Sequence, residues 1–381
     1  MSAAGRPPRQ PGSALLFAAA ALAALAAQAA PAAASPLRVR VVLHEGSGAV
    51  LVRGGSAGPT PLRVWSDGSQ VRLGSRPAGR SFGFSAAPEP AGLLEVAGRR
   101  VRGRVEARAD RRGLTLVNVL PLEDYVAGVV GRELPHSFSD EALKAQAVAA
   151  RTFALHRIGR SLGDPHFALR ASTDHQVYGG ADAESARVRQ AVAGTRGEYL
   201  SYAGQAILAA YHASSGGRTA GSDEVWSQWL PYLVSQPVQG EDLAPEPYWR
   251  ASISRTTLGR ALAPLGVRVG SVVSLRVEDR SRSGRAARLR VRGSRGERWV
   301  DAGKLRRALG ETRIRSTRFE IQPTEDGFVF AGTGYGHGVG MSQWGAEAMA
   351  RRGADYREIL AHFYPGTRLE PELPGVAGGP P

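Results

Sequence analysis

The sequence predicts an α+β protein in which a β-rich N-terminal part is followed by a mixed α/β core. Two observations support this prediction. Residues from Pro36 to about Asn118 form short alternating runs broken by Gly and Pro, a pattern typical of antiparallel strands. Helical patterns begin only at Pro121, and Pro is favoured in the first turn of a helix. The 381 residues suffice for one large domain or two ordinary ones.

Residues 1–34 have the pattern of a secretory signal peptide. Arg6 and Arg9 precede an apolar run from Ala14 to Ala27, and Ala32–Ala34 fits an A-x-A cleavage site. The run is Ala-rich and weakly hydrophobic, so we expect cleavage rather than retention as an anchor. No later segment is long and apolar enough to span a bilayer. We expect an exported chain that acts in the periplasm or on the cell-wall side of the membrane, with no membrane contact beyond the signal peptide.

The composition favours an anionic partner and excludes thiol chemistry. The net charge is +15, and Lys144 and Lys304 are the only lysines among 49 basic residues. Such a surface suits an anionic envelope polymer, although a general preference for Arg explains the charge equally well. Export argues against a nucleic-acid partner. The absence of Cys excludes disulfides and Cys-ligated zinc.

The domain boundaries follow changes in composition. We predict a β-rich region at 35–110 and a core at 111–368, which an Arg-rich segment at about 255–322 interrupts as an insertion or subdomain. That segment alternates between strands and a short helix from Ala302 to Leu309. The Pro/Gly-rich tail at 369–381 is predicted to be disordered.

Local signals set the bounds of the remaining elements. Pro135 ends the first helix, Ser137 and Asp140 have the spacing of a capping box for the second, and Gly159 ends it. In chain order we predict strands at 37–43 and 114–120, helices at 122–133 and from Ser137 or Ser139 to about 158, a hairpin at 198–211 turning at Ala203–Gly204, and a helix at 342–352 after a Gly-rich loop.

Glu133 is the strongest candidate for acid–base chemistry. On a helix it shares one face with Val126, Val129 and Val130, and it lies at the helix C-terminus. An apolar face and the negative end of the helix dipole both raise the pKa of a carboxyl group. A carboxylic acid that stays protonated near neutral pH is the general acid that glycosidic cleavage requires. A solvated Glu that ends a helix is the alternative.

Arg151 is the second candidate. On the following helix it shares a face with Lys144 and Val148, among alanines that permit close packing. Its guanidinium can reach a neighbouring carboxylate or a substrate anion. An ordinary salt bridge explains the pattern equally well.

Two loops contain small and polar residues suited to contact with a polymer. Tyr211–Thr219 follows the predicted hairpin and contains paired glycines. In Gly334–Gly340, four alternate glycines leave one side bare, so that a ligand could lie on the backbone at Gly336 and Gly338. A tightly packed strand crossing is the alternative. Nothing orients a Ser/His triad, and the G-x-S-x-G match at 54–58 lacks a following helix.

Taken together, these segments resemble the stage II sporulation protein D family of peptidoglycan lytic transglycosylases, which includes amidase-enhancer proteins. The matching stretches occur in the family's order over roughly residues 100–368. They are Val117–Pro135, Ala142–Thr152, Thr173–Gly180, Tyr211–Thr219 with Glu224–Trp226, and Gly334–Ala346 with His362–Gly366.

The resemblance implies a catalytic core with a glycan-binding groove. It implies cleavage between N-acetylmuramic acid and N-acetylglucosamine with formation of a 1,6-anhydro ring, Glu133 as the catalytic glutamate and Arg151 as the active-site arginine. Several members bind zinc through Cys near the Gln-Val-Tyr segment. With no Cys here we expect no metal and no cofactor, although His166 and His175 leave a weak site open. The residues expected to bind substrate are Gln176, Tyr178, Tyr211, His212, Ser214, Ser215, Gly216, Gly217, Thr219, Tyr335, His337, Gly338 and Gln343.

Three alternatives remain open at this point. One carboxyl group suffices for the transglycosylase reaction, because it first protonates the leaving oxygen and then accepts the proton of the C6 hydroxyl. Glu123 and Asp124 keep a two-carboxylate hydrolase open. The main alternative is a non-catalytic glycan-binding protein that enhances an N-acetylmuramoyl-L-alanine amidase. A Ser/His hydrolase is the third.

Overall fold

A computed structural model describes residues 1–2, 36–87, 92–161, 164, 168–171, 176–226 and 228–373. The predicted signal peptide, His166, His175 and the end of the predicted tail from 374 onward lie outside the described residues. Residues from Arg38 onward form one compact unit. The described part contains eight α-helices and 22 strands, so the α+β prediction is confirmed.

The N-terminal part is β-rich, as predicted. Strands β1–β10 contribute to two sheets, with strand orders β11-β1-β10-β9-β6 and β5-β4-β3-β2-β7-β8. Alternate side chains such as Val39 and Val41, or Leu114 and Leu116, are buried, which explains why these runs form strands. The strands are β1 Arg38–Gly46, β2 Val50–Arg53, β3 Leu62–Ser66, β4 Val71–Leu73, β5 Arg76–Pro77, β6 Ser81–Ser85, β7 Leu94–Val96, β8 Arg99–Val101, β9 Arg104–Asp110 and β10 Gly113–Pro121.

Strand β10 leads directly into the two central helices. Pro121 caps α1 (Leu122–Glu133), which ends where Leu134 turns extended before Pro135. Helix α2 (Asp140–Gly159) is buried on most of its sides. The predicted capping box at Ser137 is wrong, because Ser139 precedes the helix. The Ser139 hydroxyl donates instead to Glu347, at 3.2 Å.

The rest of the core brings distant segments together. The hairpin β12–β13 turns at Ala203 and Gly204, both with positive φ, as a two-residue turn requires. Strand β14 pairs in parallel with β21, which leads into α7. The elements are β11 Leu169–Arg170, α3 Ala186–Gly194, β12 Tyr199–Tyr202, β13 Gln205–Ala206, β14 Tyr211–His212, α4 Ser222–Trp226, β21 Met341–Ser342, α7 Gln343–Arg351, α8 Tyr356–Phe363 and β22 Arg368–Glu370.

The Arg-rich segment forms a subdomain with its own hydrophobic cluster. That cluster extends from Trp249 to Phe330, beyond the predicted bounds of 255–322 on both sides. Two three-stranded sheets, β16-β17-β18 and β15-β20-β19, pack around it. Its elements are β15 Tyr248–Ser254, α5 Arg255–Leu262, β16 Val272–Arg280, β17 Ala286–Gly293, β18 Gly296–Asp301, α6 Ala302–Leu309, β19 Phe319–Pro323 and β20 Gly327–Thr333.

A second hydrophobic cluster supports the predicted site. It joins Ala145 and Val148 of α2 to Met341 of β21 and to Ile359 and Leu360 of α8. The packing fixes α2 and β21 against each other, beside the end of α1. None of the helices that the structure describes is long and apolar enough to cross a bilayer.

Candidate active site

Four segments converge on Glu133, the last residue of α1. The residue is partly exposed, and its Oε1 accepts a hydrogen bond from the backbone N–H of Val177 at 2.9 Å. The polar side chains of Tyr211 on β14 and Gln343 at the start of α7 lie close to its carboxyl group and act to lower its pKa. Residues from α1, the 176–178 segment, β14 and α7 thus surround one carboxyl group. Gln343 and Tyr211 are both among the residues predicted from the sequence to bind substrate, and that role stays a prediction.

The pKa of Glu133 is raised above 4.5, the ordinary value of a Glu carboxyl. Burial is the largest cause, because it removes water that would solvate the charged form. Hydrogen bonds from Val177, Gln343 and Tyr211 oppose the shift without cancelling it. The predicted direction is confirmed. The result is a carboxyl group that holds its proton to higher pH, on a residue that is only partly exposed.

A buried polar network fixes the position of the Tyr211 hydroxyl. Gln176 donates to it at 3.0 Å and accepts from the Tyr125 hydroxyl at 2.9 Å. Burial and the nearby Glu133 charge raise the pKa of Tyr211 well above its ordinary value, so the phenol keeps its proton to donate. Gln343 is held by Gln146 at 3.4 Å. Sequence reasoning missed Tyr125 and Gln146. Each is a residue with a polar group among apolar neighbours on its helix, which could have identified both as members of a buried polar network.

The two predicted loops meet along the pairing of β14 with β21. Ser214 and Tyr335 exchange two backbone hydrogen bonds, at 3.1 and 2.8 Å. The His212 ring donates to the Val339 carbonyl at 3.1 Å, and His337 accepts from the Val339 N–H at 3.1 Å. Burial lowers the pKa of His337 to about 4 and that of His212 well below 6.5. Both imidazoles are therefore neutral at pH 7.

Glu241 holds the Ser215–Gly217 loop in place. Its carboxylate accepts from the Ser215 N–H and hydroxyl, both at 2.6 Å, and from the Gly217 N–H at 2.7 Å. The Ser342 hydroxyl, which caps α7, also donates to it. Ser215 is fully buried, so its hydroxyl does not reach the surface of the protein. Sequence reasoning missed Glu241, since nothing local distinguishes it.

The expectation that a ligand lies on bare backbone at Gly338 is wrong. The side of Gly338 that lacks a Cβ is covered by the Arg285 guanidinium, and a Cβ there would come within 2.4 Å of it. A Cβ on Gly336 would come within 2.7 Å of the His212 Cβ. The alternate glycines therefore permit a tightly packed crossing of the two loops. Arg285 comes from the subdomain and donates to the Ser215 carbonyl at 2.7 Å.

Arg151 does not face the groove. Its side chain is 0% exposed and makes a two-point ion pair with Glu123, at 2.9 and 2.6 Å. It also donates to the Glu198 carbonyl at 3.0 Å. The predicted contact with substrate is therefore corrected. Arg151 thus joins α2 to α1, the helix that ends at Glu133.

Other predicted contacts are also inside the protein. The Tyr178 hydroxyl donates to Asn118 at 3.0 Å from a fully buried position. Thr219 is buried, and its hydroxyl accepts from the Gln236 N–H at 2.7 Å. The Gln176 side chain is buried and acts through Tyr211. All three side chains therefore lie inside the protein.

The two loops present a pocket and exposed aromatic rings at the surface. Ser214, Gly216 and Gly217 line a pocket of about 200 Å³. Tyr335 is 39% exposed, and the ring of Trp226 lies 5.3 Å from that of His337. No group of three His, Cys, Asp or Glu that could hold a metal occurs among the residues that the structure describes.

Comparison with known proteins identifies the family. A stage II sporulation protein family model matches residues 110–202, and a model for a domain of unknown function matches 246–340. An uncharacterized protein of Brachyspira hyodysenteriae is 34% identical, over 67% of this chain and 68% of its own length. The amidase enhancer of Bacillus subtilis is also 34% identical, but the match covers only 40% of that protein. The stage II sporulation protein D of Bacillus subtilis is 31% identical over 66% of this chain and 75% of its own length. This chain therefore belongs to the stage II sporulation protein D family.

Proposed function

We propose that this protein is a peptidoglycan lytic transglycosylase that cleaves the bond between N-acetylmuramic acid and N-acetylglucosamine in peptide-free glycan strands. The observation that supports the proposal is Glu133, a partly exposed carboxyl group whose pKa burial raises. A protonated acid beside an open surface is what the departing glycosidic oxygen requires.

One residue serves both halves of the reaction. The Glu133 carboxyl donates its proton to the glycosidic oxygen as the bond from C1 to that oxygen breaks. The C6 hydroxyl of the same muramic acid then bonds to C1, and its proton returns to the Glu133 carboxylate. Hydrogen bonds from Val177, Tyr211 and Gln343 stabilise that carboxylate between the two transfers. No water is consumed. Glu123 is occupied by Arg151, which weighs against its use as a second catalytic carboxylate.

The test is mass spectrometry of the products from purified, peptide-free glycan. The wild-type protein should release fragments ending in 1,6-anhydro-muramic acid. Glu133→Gln keeps the shape but delivers no proton, so its rate should fall by at least ~10²–10⁴. Glu325→Gln, an exposed substitution of the same kind, is the matched control and should not change the rate.

Two outcomes would contradict the proposal. Near-normal anhydro product from Glu133→Gln would remove Glu133 from the reaction. If the wild-type protein releases no fragments but raises the rate of an N-acetylmuramoyl-L-alanine amidase, the protein is a non-catalytic enhancer instead.

The proposal includes export to the periplasm or the cell-wall side of the membrane. It rests on the sequence pattern of residues 1–34. Intact mass measurement of protein recovered from outside the cytoplasm should show that these residues are gone. Full-length protein held in the membrane would mean a retained anchor.

A further inference from the structure

The subdomain forms a basic cleft that the proposed reaction does not use. It has a volume of about 490 Å³ and lies between strand β15 and the segment at 312–315. Exposed and buried residues alternate along β15, which places Tyr248 and Arg250 on its outer face. The cleft is lined by Glu246, Tyr248, Trp249, Arg250, Ala251, Ser252, Thr312, Arg313 and Arg315.

The cleft carries excess positive charge. Three guanidinium groups, those of Arg250, Arg313 and Arg315, face one carboxylate, that of Glu246. Glu246 pairs with Arg315. Arg250 and Arg313 are exposed, and neither has an ion-pair partner within the described ranges. Two guanidinium groups therefore remain available to an anion, and guanidinium groups bind carboxylates in a two-point geometry.

Aromatic rings border the charged groups. Tyr248 is 76% exposed, so its ring is accessible to a ligand in the cleft. Tyr335 stacks near Arg315, whose guanidinium carbon lies 5.5 Å from the ring centroid. Flat rings beside a few charged groups are the lining expected of a ligand site that is partly apolar.

The cleft is linked to the loops beside Glu133. Tyr248 also lines the 200 Å³ pocket that contains Ser214 and Gly216. The Gly336 N–H donates to the Arg315 carbonyl at 2.9 Å, so the cleft and the Gly-rich loop share a backbone contact. That loop leads in sequence to Gln343, whose side chain lies close to the Glu133 carboxyl.

We propose that this cleft is a subsite for the free lactyl carboxylate of a muramic acid residue further along the strand. The inference rests on the proposed function and deepens it. In a strand that still carries stem peptides, the same lactyl carbon is part of an amide and has no charge. Arg250 and Arg313 therefore favour strands from which an amidase has removed the peptides, because only there does the cleft meet its anion.

The test compares two pairs of charge-removing substitutions, made in the full chain with Glu133→Gln so that no ligand is consumed. Arg250→Gln with Arg313→Gln removes the cleft charges. Arg260→Gln with Arg268→Gln removes two exposed charges of the same subdomain that do not line the cleft. Binding is measured with peptide-free glycan oligosaccharides and with N-acetylglucosamine oligosaccharides of equal length, which have no lactyl group.

We expect the cleft pair to weaken binding of the peptide-free glycan by about tenfold, equivalent to about 1.4 kcal/mol. Its binding of the uncharged oligosaccharide should stay within about twofold of the parent protein. The Arg260 and Arg268 pair should bind both ligands normally. Arg250→Lys with Arg313→Lys should restore part of the loss, since it restores charge without the planar geometry.

Three results would contradict the proposed subsite. The two pairs of substitutions could lose the same binding affinity, the cleft pair could lose the same affinity for both ligands, or the cleft pair could lose none. A teichoic acid whose binding depends on Arg250 and Arg313 more strongly than glycan binding does would assign the cleft to phosphate instead. If the protein with Glu133 intact cleaves glycan and the cleft pair still binds like its control, the subsite fails while the proposed function stands. If the wild-type protein neither binds nor cleaves glycan, the proposed function itself fails.

Discussion

Glu133 couples the chemistry of the site to the stability of the fold. Its pKa is raised because the folded protein removes solvent from the carboxylate. Between the unfolded pKa, near 4.5, and the higher folded pKa, the folded state binds more protons than the unfolded state. The contribution of Glu133 to stability is therefore fully present below pH 4.5 and is lost as the pH rises through the folded pKa.

The first prediction follows from this loss of stability with rising pH. Glu133→Gln cannot titrate, so its melting temperature minus that of the wild type should rise as the pH increases from 4 towards 8. Each kcal/mol corresponds to about 2–4 °C in domains of about 150–250 residues, so the shift in this longer chain is at the lower end of that range or below it. Differential scanning calorimetry at several pH values measures it. A difference that stays constant with pH would mean that the carboxyl has its ordinary pKa.

The second prediction concerns Arg151. Removing one member of a buried ion pair leaves the other charge uncompensated, at a cost of about 3–5 kcal/mol. Because Arg151 is 0% exposed and paired with Glu123, Arg151→Ala should lower the melting temperature strongly, together with activity. Arg151→Met combined with Glu123→Gln should recover much of the stability, since neither charge then remains buried. Full stability with lost activity in Arg151→Ala would instead return Arg151 to a direct role on substrate.

At the scale of elements, the sequence predicted what local signals determine. Helix α1 was predicted to its last residue because Pro121 and Pro135 bound it. The hairpin β12–β13 followed from Ala203–Gly204, which adopt the positive φ its turn needs. The short helix of the subdomain was also predicted with its observed bounds, Ala302–Leu309.

Contacts between distant segments could not be predicted. His212 and Val339, which hydrogen-bond across the paired loops, are 127 residues apart. Glu241 is a single carboxylate in a loop, and no periodicity shows that it collects donors from Ser215, Gly217 and Ser342. Arg151 had the residue type of an active-site cation, but only its burial against Glu123 shows that it faces inward. The sequence therefore named residues that the structure brings close to Glu133, such as Tyr211 and Gln343, but it did not show which of the named side chains are buried.

The Gly-rich loop yields the third prediction. Gly338 and Gly353 both have left-handed φ, +85° and +95°, but only Gly338 has a neighbour where a Cβ would point. Gly338→Ala should therefore cost more stability than Gly353→Ala, by about 1–3 kcal/mol for the overpacked site. Chemical denaturation measures both. When Arg285→Ala is also present, the difference in stability loss between the two glycine substitutions should shrink. The guanidinium that a Cβ on Gly338 would meet is then absent. A difference that persists there would mean that Arg285 is not what covers Gly338.

At the scale of the whole molecule, two hydrophobic clusters lie beneath the proposed site and the subdomain. One cluster holds the subdomain and the other holds α2, β21 and α8. Polar contacts join them beside the site, including Arg285 to the Ser215 carbonyl and Trp249 to the Gly334 carbonyl at 3.0 Å. The subdomain therefore bears directly on the loops near Glu133. Its contribution of basic residues also adds to the net charge of +15.

The last prediction separates that overall charge from the cleft. The field of a protein with charge +15 attracts an anionic strand over distances that salt screens, since the Debye length falls from about 10 Å at 0.1 M salt to about 3 Å at 1 M. Binding of peptide-free glycan should therefore weaken steadily with added salt, whereas binding of uncharged N-acetylglucosamine oligosaccharides should not. The variant Arg250→Gln with Arg313→Gln should bind more weakly at each salt concentration. It should still show a slope, because the remaining cations keep their field. If glycan binding by this variant no longer depended on salt concentration, the two cleft arginines alone would account for the electrostatic attraction of the strand.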